Sequence, residues 1–233
     1  MPARYRFVIM PRMPRTARAA VGGLCYHVIN RGNAGTVVFH QPDDFDAFLQ
    51  LMRQANEQRP MRLVAYCLMP NHFHLVLWPH GDGDLSRWMQ WLLTAHVRRY
   101  HRLRGTNGHI WQGRFKAFPI QQDEHLLTVL RYVERNPVRA ALVPRAERWR
   151  WSSLQAGPSD NAPPLDPGPV DRPRQWLTRV NRAETTAELD DLRRCVNRGT
   201  PYGPATWVER TAVRLGLEAT LHPRGRPRKS VAK

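Results

Sequence analysis

The chain has 233 residues, 42% of them hydrophobic and 24% charged, which suits one folded domain of ordinary size with a smaller appendage. Lys and Arg number 36 against 19 acids, a net charge of +17, and that excess favours a polyanionic partner. A membrane partner is set aside, because apolar runs such as 7–10 and 75–78 fall far short of the ~20 residues needed to span a bilayer; Cys25, Cys67 and Cys195 are too scattered for a disulfide framework or a paired-cysteine zinc site.

Residues 1–20 read as a basic flexible arm: residues 1–42 hold six arginines and no acid. The arm lacks the apolar core of a secretory signal, so the expected location is the cytosol. Gly22 and Gly23 open a strand over 24–29, which ends at the turn signal Arg31-Gly32-Asn33. A helix follows over 42–58, where Phe45, Phe48, Leu49 and Met52 form one apolar stripe. Strands 61–69 and 72–78 flank the short turn at Pro70-Asn71 and must pair antiparallel. A second helix runs from about 85 to 103, with Leu85, Trp88, Met89 and Leu92 as its stripe and arginines crowding its end. After the loop Trp111-Gln112-Gly113-Arg114-Phe115 comes a strand over 116–121. A third helix starts near Asp123 and stops at Asn136, because Pro137 disfavours helical geometry in the residue before it.

This order predicts an α+β fold over residues 20–137, a ferredoxin-like or RRM-like antiparallel sheet with helices packed on one face. The predicted organisation is a main domain over 21–154, a Pro- and Gly-rich linker over 155–175, a helical DNA-binding appendage over 176–218 and a basic tail over 219–233. The terminal arms either contact phosphates or merely solubilise.

Side chains alternate along a strand, so His72 and His74 share one face, ~7 Å apart, while Phe73 points into the core. Such a pair is either a polar surface or two ligands for one metal ion. On the third helix Thr128, Tyr132 and Asn136 are spaced by four and share a face beside the apolar Leu126, Val129, Leu130 and Val133. Tyr132 should stand at the edge of that packed face, as a packing residue with a wet hydroxyl or as a group that meets substrate. Asn136 is either a helix cap or a ligand.

Several segments together resemble the single-tyrosine, His-hydrophobe-His transposases. Met69-Pro70-Asn71-His72-Phe73-His74-Leu75-Val76 is similar to their metal-binding strand, and Tyr132-Val133-Glu134-Arg135-Asn136-Pro137-Val138-Arg139 to their catalytic helix. Tyr26-His27-Val28-Ile29-Asn30-Arg31-Gly32-Asn33, the Trp111 loop and Trp151-Ser152-Ser153 extend the likeness over residues 20–155, in order. The segments at 198–203 and 223–229 resemble the REP-associated branch. The resemblance implies action on single-stranded or hairpin DNA, with Tyr132 as nucleophile leaving a 5′-phosphotyrosine. It implies Mg²⁺ or Mn²⁺ held by His72, His74 and Asn136, where Asn stands in a place often taken by the longer Gln.

Arg31, Trp111, Gln112, Arg114 and Lys116 are the candidate DNA contacts on loops, able to stack on bases or take phosphates; Trp111 is alternatively a core residue. Arg224, Arg226, Arg228 and Lys229 form a basic run suited to a minor groove. Histidine-triad hydrolases would need a third histidine at 76, where Val76 stands. An RRM-like binding module without chemistry, or a domesticated relative that cuts but no longer moves its gene, is the other reading. Both a monomer and a homodimer are compatible with the sequence.

Overall fold

Period-two alternation in the strand that carries the histidines divides its side chains between two cores, and the architecture follows from that division. In the computed structural model, which describes residues 20–155 and 162–222, this strand is β3 (His72–Trp78). It lies beside β2 (Arg62–Met69) and β1 (Cys25–Arg31), and β4 (Lys116–Ile120) pairs with β1. All pairings are antiparallel, in the order β2-β3-β1-β4. With α1 (Pro42–Gln58) and α2 (Asp84–Arg104) as crossovers, this is the expected ferredoxin-like topology.

Phe73, Leu75 and Leu77 enter a core with the stripes of α1 and α2, including Phe48, Met52 and Trp88. Val76, on the opposite face, joins a second core beneath α3 (Glu124–Glu134), whose Leu126, Val129, Leu130 and Val133 are fully buried. Helices therefore cover both faces of the sheet, because α3 carries an apolar face of its own. A bulge between Leu63 and Ala65 interrupts the alternation of β2, so that the successive residues Val64 and Ala65 both join the second core while Leu63 and Tyr66 turn to the first.

Exposed strand edges invite unwanted pairing, and both are covered here. Part of the stretch expected to be a linker lies along β2, where Asp166 N–H donates to Leu63 O at 2.8 Å and Arg172 donates to Val64 O at 2.9 Å. Gly168 fits there with φ +85°, and a Cβ would meet Val64 at 2.9 Å. At the other edge Tyr202 bridges Ile120 in parallel, and its N–H donates to Pro119 O at 2.9 Å. Between these edge covers lie α5 (Trp176–Asn181) and α6 (Thr186–Arg198); α7 (Ala205–Leu215) follows. A Thr185–Glu188 capping box starts α6.

His96 on α2 is enclosed by the rings of Phe39, Phe48 and Trp111, and burial pushes its pKa down to about 3. The unfolded chain takes up this proton near pH 6.5 and the folded chain does not, so stability falls as pH drops through that window. From pH 7 to 5 this histidine alone should remove about 2 kcal/mol. His96→Leu should flatten the fall in Tm over that range by the equivalent amount, and an unchanged fall would contradict the assignment.

Candidate active site

On the α3 side of the sheet, His72 and His74 project together from β3, and the next residues along the chain to reach them come from the end of α3. The helix stops at Glu134, two residues short of the expected Asn136, and Asn136 instead opens the short α4 (Asn136–Arg139), whose first turn tolerates Pro137. That break swings the Asn136 amide onto the histidines: Nδ2 is 2.7 Å from His74 Nε2, and the amide also hydrogen-bonds His72. The imidazoles stand perpendicular to each other, with centroids 4.9 Å apart.

Neutral imidazoles are needed to bind a cation, and burial supplies them. His74 is 2% exposed and its pKa is held well below the ordinary range by burial, with His72, His27 and Arg139 adding to the effect. Burial likewise pushes His72 down to about 4, helped by Arg31 and Arg139. Asn71 determines which nitrogen of His72 is free. Its Nδ2 donates to Gly35 O at 3.0 Å, so its Oδ1 faces His72 Nδ1 at 2.7 Å and accepts that proton. Nε2 of His72 is left as a lone pair. Among the described residues no cluster of three His, Cys, Asp or Glu side chains is placed to hold a metal. The candidate set is instead two imidazoles and one amide. It fits a cation: ligand atoms at about 2.1 Å from an octahedral ion stand about 3 Å apart, close to the His74–Asn136 separation, and turning the amide presents its oxygen there.

Tyr132 lies edge-on to this group, its ring 5.7 Å from His74 and 6.0 Å from His27. It faces the imidazoles, but it does not stand open at the edge of the packed face, the position expected from the helix pattern. The residue is 8% exposed, because the Arg139 guanidinium lies 4.2 Å over the ring. Burial raises the phenol pKa, and Arg139 opposes that rise. Arg139 is held in turn by Glu184, whose carboxylate also takes Arg135 at 2.8 Å. Arg131, one turn earlier, donates to the carbonyls of Arg182 and Ala183. The appendage thus clamps the tyrosine helix through three arginines at four-residue spacing. Glu134, between Tyr132 and Asn136 in sequence, is buried and accepts from Ser153 and Trp176, which ties the 150s segment and α5 to the same helix.

Beside the histidines a groove of about 520 Å³ is lined by Arg31, Gln112, Arg114 and Lys116, with Val196 and Asn197 of α6 as a far wall. Register explains its position. Arg31 is opposite His72, Ile29 opposite His74 and Lys116 opposite Ile29, so these side chains share the histidine face. The loop is fixed to β1 by Gln112 N–H donating to Arg31 O at 2.8 Å. Trp111 is a correction: it is 6% exposed, packed against Phe73 and His96 in the first core, and its ring is not available to stack on a base. Arg224, Arg226, Arg228 and Lys229 lie outside the described residues. Sequence reasoning missed His27, Arg139 and Glu184 as members of the site. The first two lie inside quoted motifs, but only strand register and the helix break bring them in.

This arrangement is the setting for the comparisons with known proteins. Residues 20–136, half of the chain, match the family described as IS200-like transposases, and the chain belongs to that family. A Haemophilus influenzae protein with the provisional name REP-associated tyrosine transposase is 29% identical over 122 residues, 48% of this chain and 69% of that protein. A solved REP-associated tyrosine transposase bound to a REP hairpin shares the fold, with TM-score 0.52 at 20% identity over 61% of this chain and 84% of that one. A Deinococcus radiodurans structure described provisionally as a transposase aligns at TM-score 0.37 and 22% identity over 52% of this chain and 95% of that one.

Removing one partner from a buried ion pair strands the other charges, at a cost of about 3–5 kcal/mol. Glu184→Ala should lower unfolding free energy by that much in a urea titration. A loss below about 1 kcal/mol would reduce the clamp to the worth of an exposed pair.

Proposed function

We propose that this chain cuts and rejoins DNA strands at single-stranded or hairpin sites, in the manner of the REP-associated branch, with Tyr132 as the nucleophile. The observation that carries the reading is the convergence of a phenol, two neutral imidazoles and an amide beside a basic groove. The Haemophilus relative's name and the hairpin in the solved neighbour favour the same branch and the same kind of substrate.

His72, His74 and Asn136 would hold Mn²⁺ or Mg²⁺, and the bound ion would add positive charge beside the scissile phosphate. No carboxylate belongs to this set, so the phosphate is the anion that would offset part of the ion's charge. Arg31, Arg114 and Lys116 take the flanking phosphates and lay the strand along the groove, and Gln112 adds polar contacts. The appendage over 176–218 supports DNA binding by walling the groove, and the arms over 1–20 and 219–233 add phosphate contacts.

In the reaction Tyr132 Oη forms a bond to phosphorus as the bond from phosphorus to the 3′ oxygen breaks. The phenol gives up its proton and the leaving 3′ oxygen gains one. The 5′ phosphate remains on the tyrosine, and attack by a second 3′-hydroxyl reverses the exchange, joining strands and releasing the phenol. Burial opposes loss of the phenol proton; the Arg139 guanidinium favours the phenolate. Because Arg139 covers the ring, guanidinium and ring must part before a phosphate can enter. That covered ring is the one observation favouring a binding module without chemistry.

The two readings separate in one assay. An end-labelled hairpin from the gene's flanks, incubated with protein and Mn²⁺, should give a covalent adduct that survives denaturing gel electrophoresis. Tyr132→Phe should abolish the adduct and leave hairpin affinity intact, and EDTA should stop cleavage. An adduct that persists in Tyr132→Phe would move the nucleophile elsewhere, and tight binding without any cleavage would favour the binding module.

A further inference from the structure

The two ring nitrogens of His74 point in opposite directions, and each has one partner. Nε2 meets Asn136 at 2.7 Å, and Nδ1 meets Nε2 of His27 at 2.8 Å. His27 comes from β1, is 0% exposed, and its ring stacks on that of His74 with centroids 5.0 Å apart and planes 17° from parallel. Its other nitrogen, Nδ1, has no hydrogen-bond partner among the described residues. The bond to His74 is therefore the one side-chain hydrogen bond this imidazole makes there. A half-satisfied polar ring at zero exposure is a poor packing choice, since an apolar side chain against Phe118 would leave no polar atom unpaired.

Geometry limits what the contact can do. His27 reaches His74 from the side opposite Asn136, so it cannot share a cation with His72, His74 and Asn136. It can only act on the ring that does. We infer that His27 is the positioning residue of His74: its Nε2 accepts the hydrogen bond from His74 Nδ1–H, which fixes the ring plane and leaves His74 Nε2 unprotonated toward the cation. This inference rests on the metal reading given above.

The two histidines of the pair are thus oriented by different means. Asn71 has its amide nitrogen committed to Gly35, can only accept from His72, and fixes that tautomer permanently. An imidazole at position 27 can donate or accept at Nε2, so once the Asn136 amide turns its nitrogen away from His74 Nε2 the His74–His27 pair can carry its protons either way until a cation binds. Cation binding selects one arrangement, with each ring keeping a single proton, on Nδ1 in both. Partners of this outer kind commonly contribute 10–100-fold to metal affinity.

The test uses the full chain and Mn²⁺ alone, titrated by electron paramagnetic resonance, with melting temperature recorded in parallel. His27→Leu should bind Mn²⁺ about 10–100-fold more weakly without a loss of Tm, whereas His27→Gln, which restores an acceptor near the Nε2 position, should stay close to wild type. His74→Ala is the control. If His74→Ala loses Mn²⁺ while His27→Leu binds it as tightly as wild type, His27 is a packing residue and the inference falls. If His74→Ala binds as well as wild type, the metal reading itself falls. Should His27→Leu fail to fold, the ¹⁵N imidazole signals of Mg²⁺-saturated wild type decide. A proton on His74 Nδ1 with none on His27 Nε2 supports the inference, and a proton on His27 Nε2 overturns it.

Discussion

Strand β3 serves two masters, and the site exists because it does. Its odd-numbered side chains are buried against α1 and α2, which fixes the strand in plane and register, and its even-numbered histidines are thereby presented to the other face with no freedom to turn away. Burial of that face keeps both imidazoles neutral, in the state that can accept a cation. The same burial raises the pKa of the phenol opposite, so one environment prepares the ligands and restrains the nucleophile. Arg139 offsets part of that restraint, and it depends on Glu184 from far along the chain.

The appendage therefore belongs to the site. It contributes the carboxylate that holds Arg139, the carbonyls that hold Arg131 and the α6 wall of the groove. Charge is distributed accordingly: the basic groove residues are exposed, while the arginines of the tyrosine helix are consumed internally. A second arginine-rich groove, about 710 Å³ between α1 and α2, lies across the sheet from the histidines and takes no part in this geometry.

Much of the framework was legible in the sequence because it rests on local periodicity. The stripe Phe45, Phe48, Leu49, Met52 marked α1 and alternation around Phe73 gave β3 its faces, whereas α3 ends at Glu134, two residues before the Asn136 expected from Pro137. What escaped was whatever depends on distant partners. Trp111 sits in a polar, basic loop and its sequence left base stacking and core packing both open; packing decides it, because the loop runs under the first core and the ring is drawn inward by Phe73, Phe48 and His96. His27 looks like one more strand residue until the β1–β3 register sets it diagonally behind His74. Glu184 lies more than forty positions beyond the arginines it pairs with, and no spacing rule reaches that far.

The central claim is that the imidazoles of His72 and His74, with the Asn136 amide, form one cation site facing Tyr132. Anomalous X-ray scattering from Mn²⁺ in crystals of the chain with a hairpin oligonucleotide measures this directly. A single peak about 2.2 Å from Nε2 of both histidines, with a phosphate between it and the Tyr132 hydroxyl, is the expected result. A peak elsewhere, or none at the histidines while DNA occupies the groove, would contradict it.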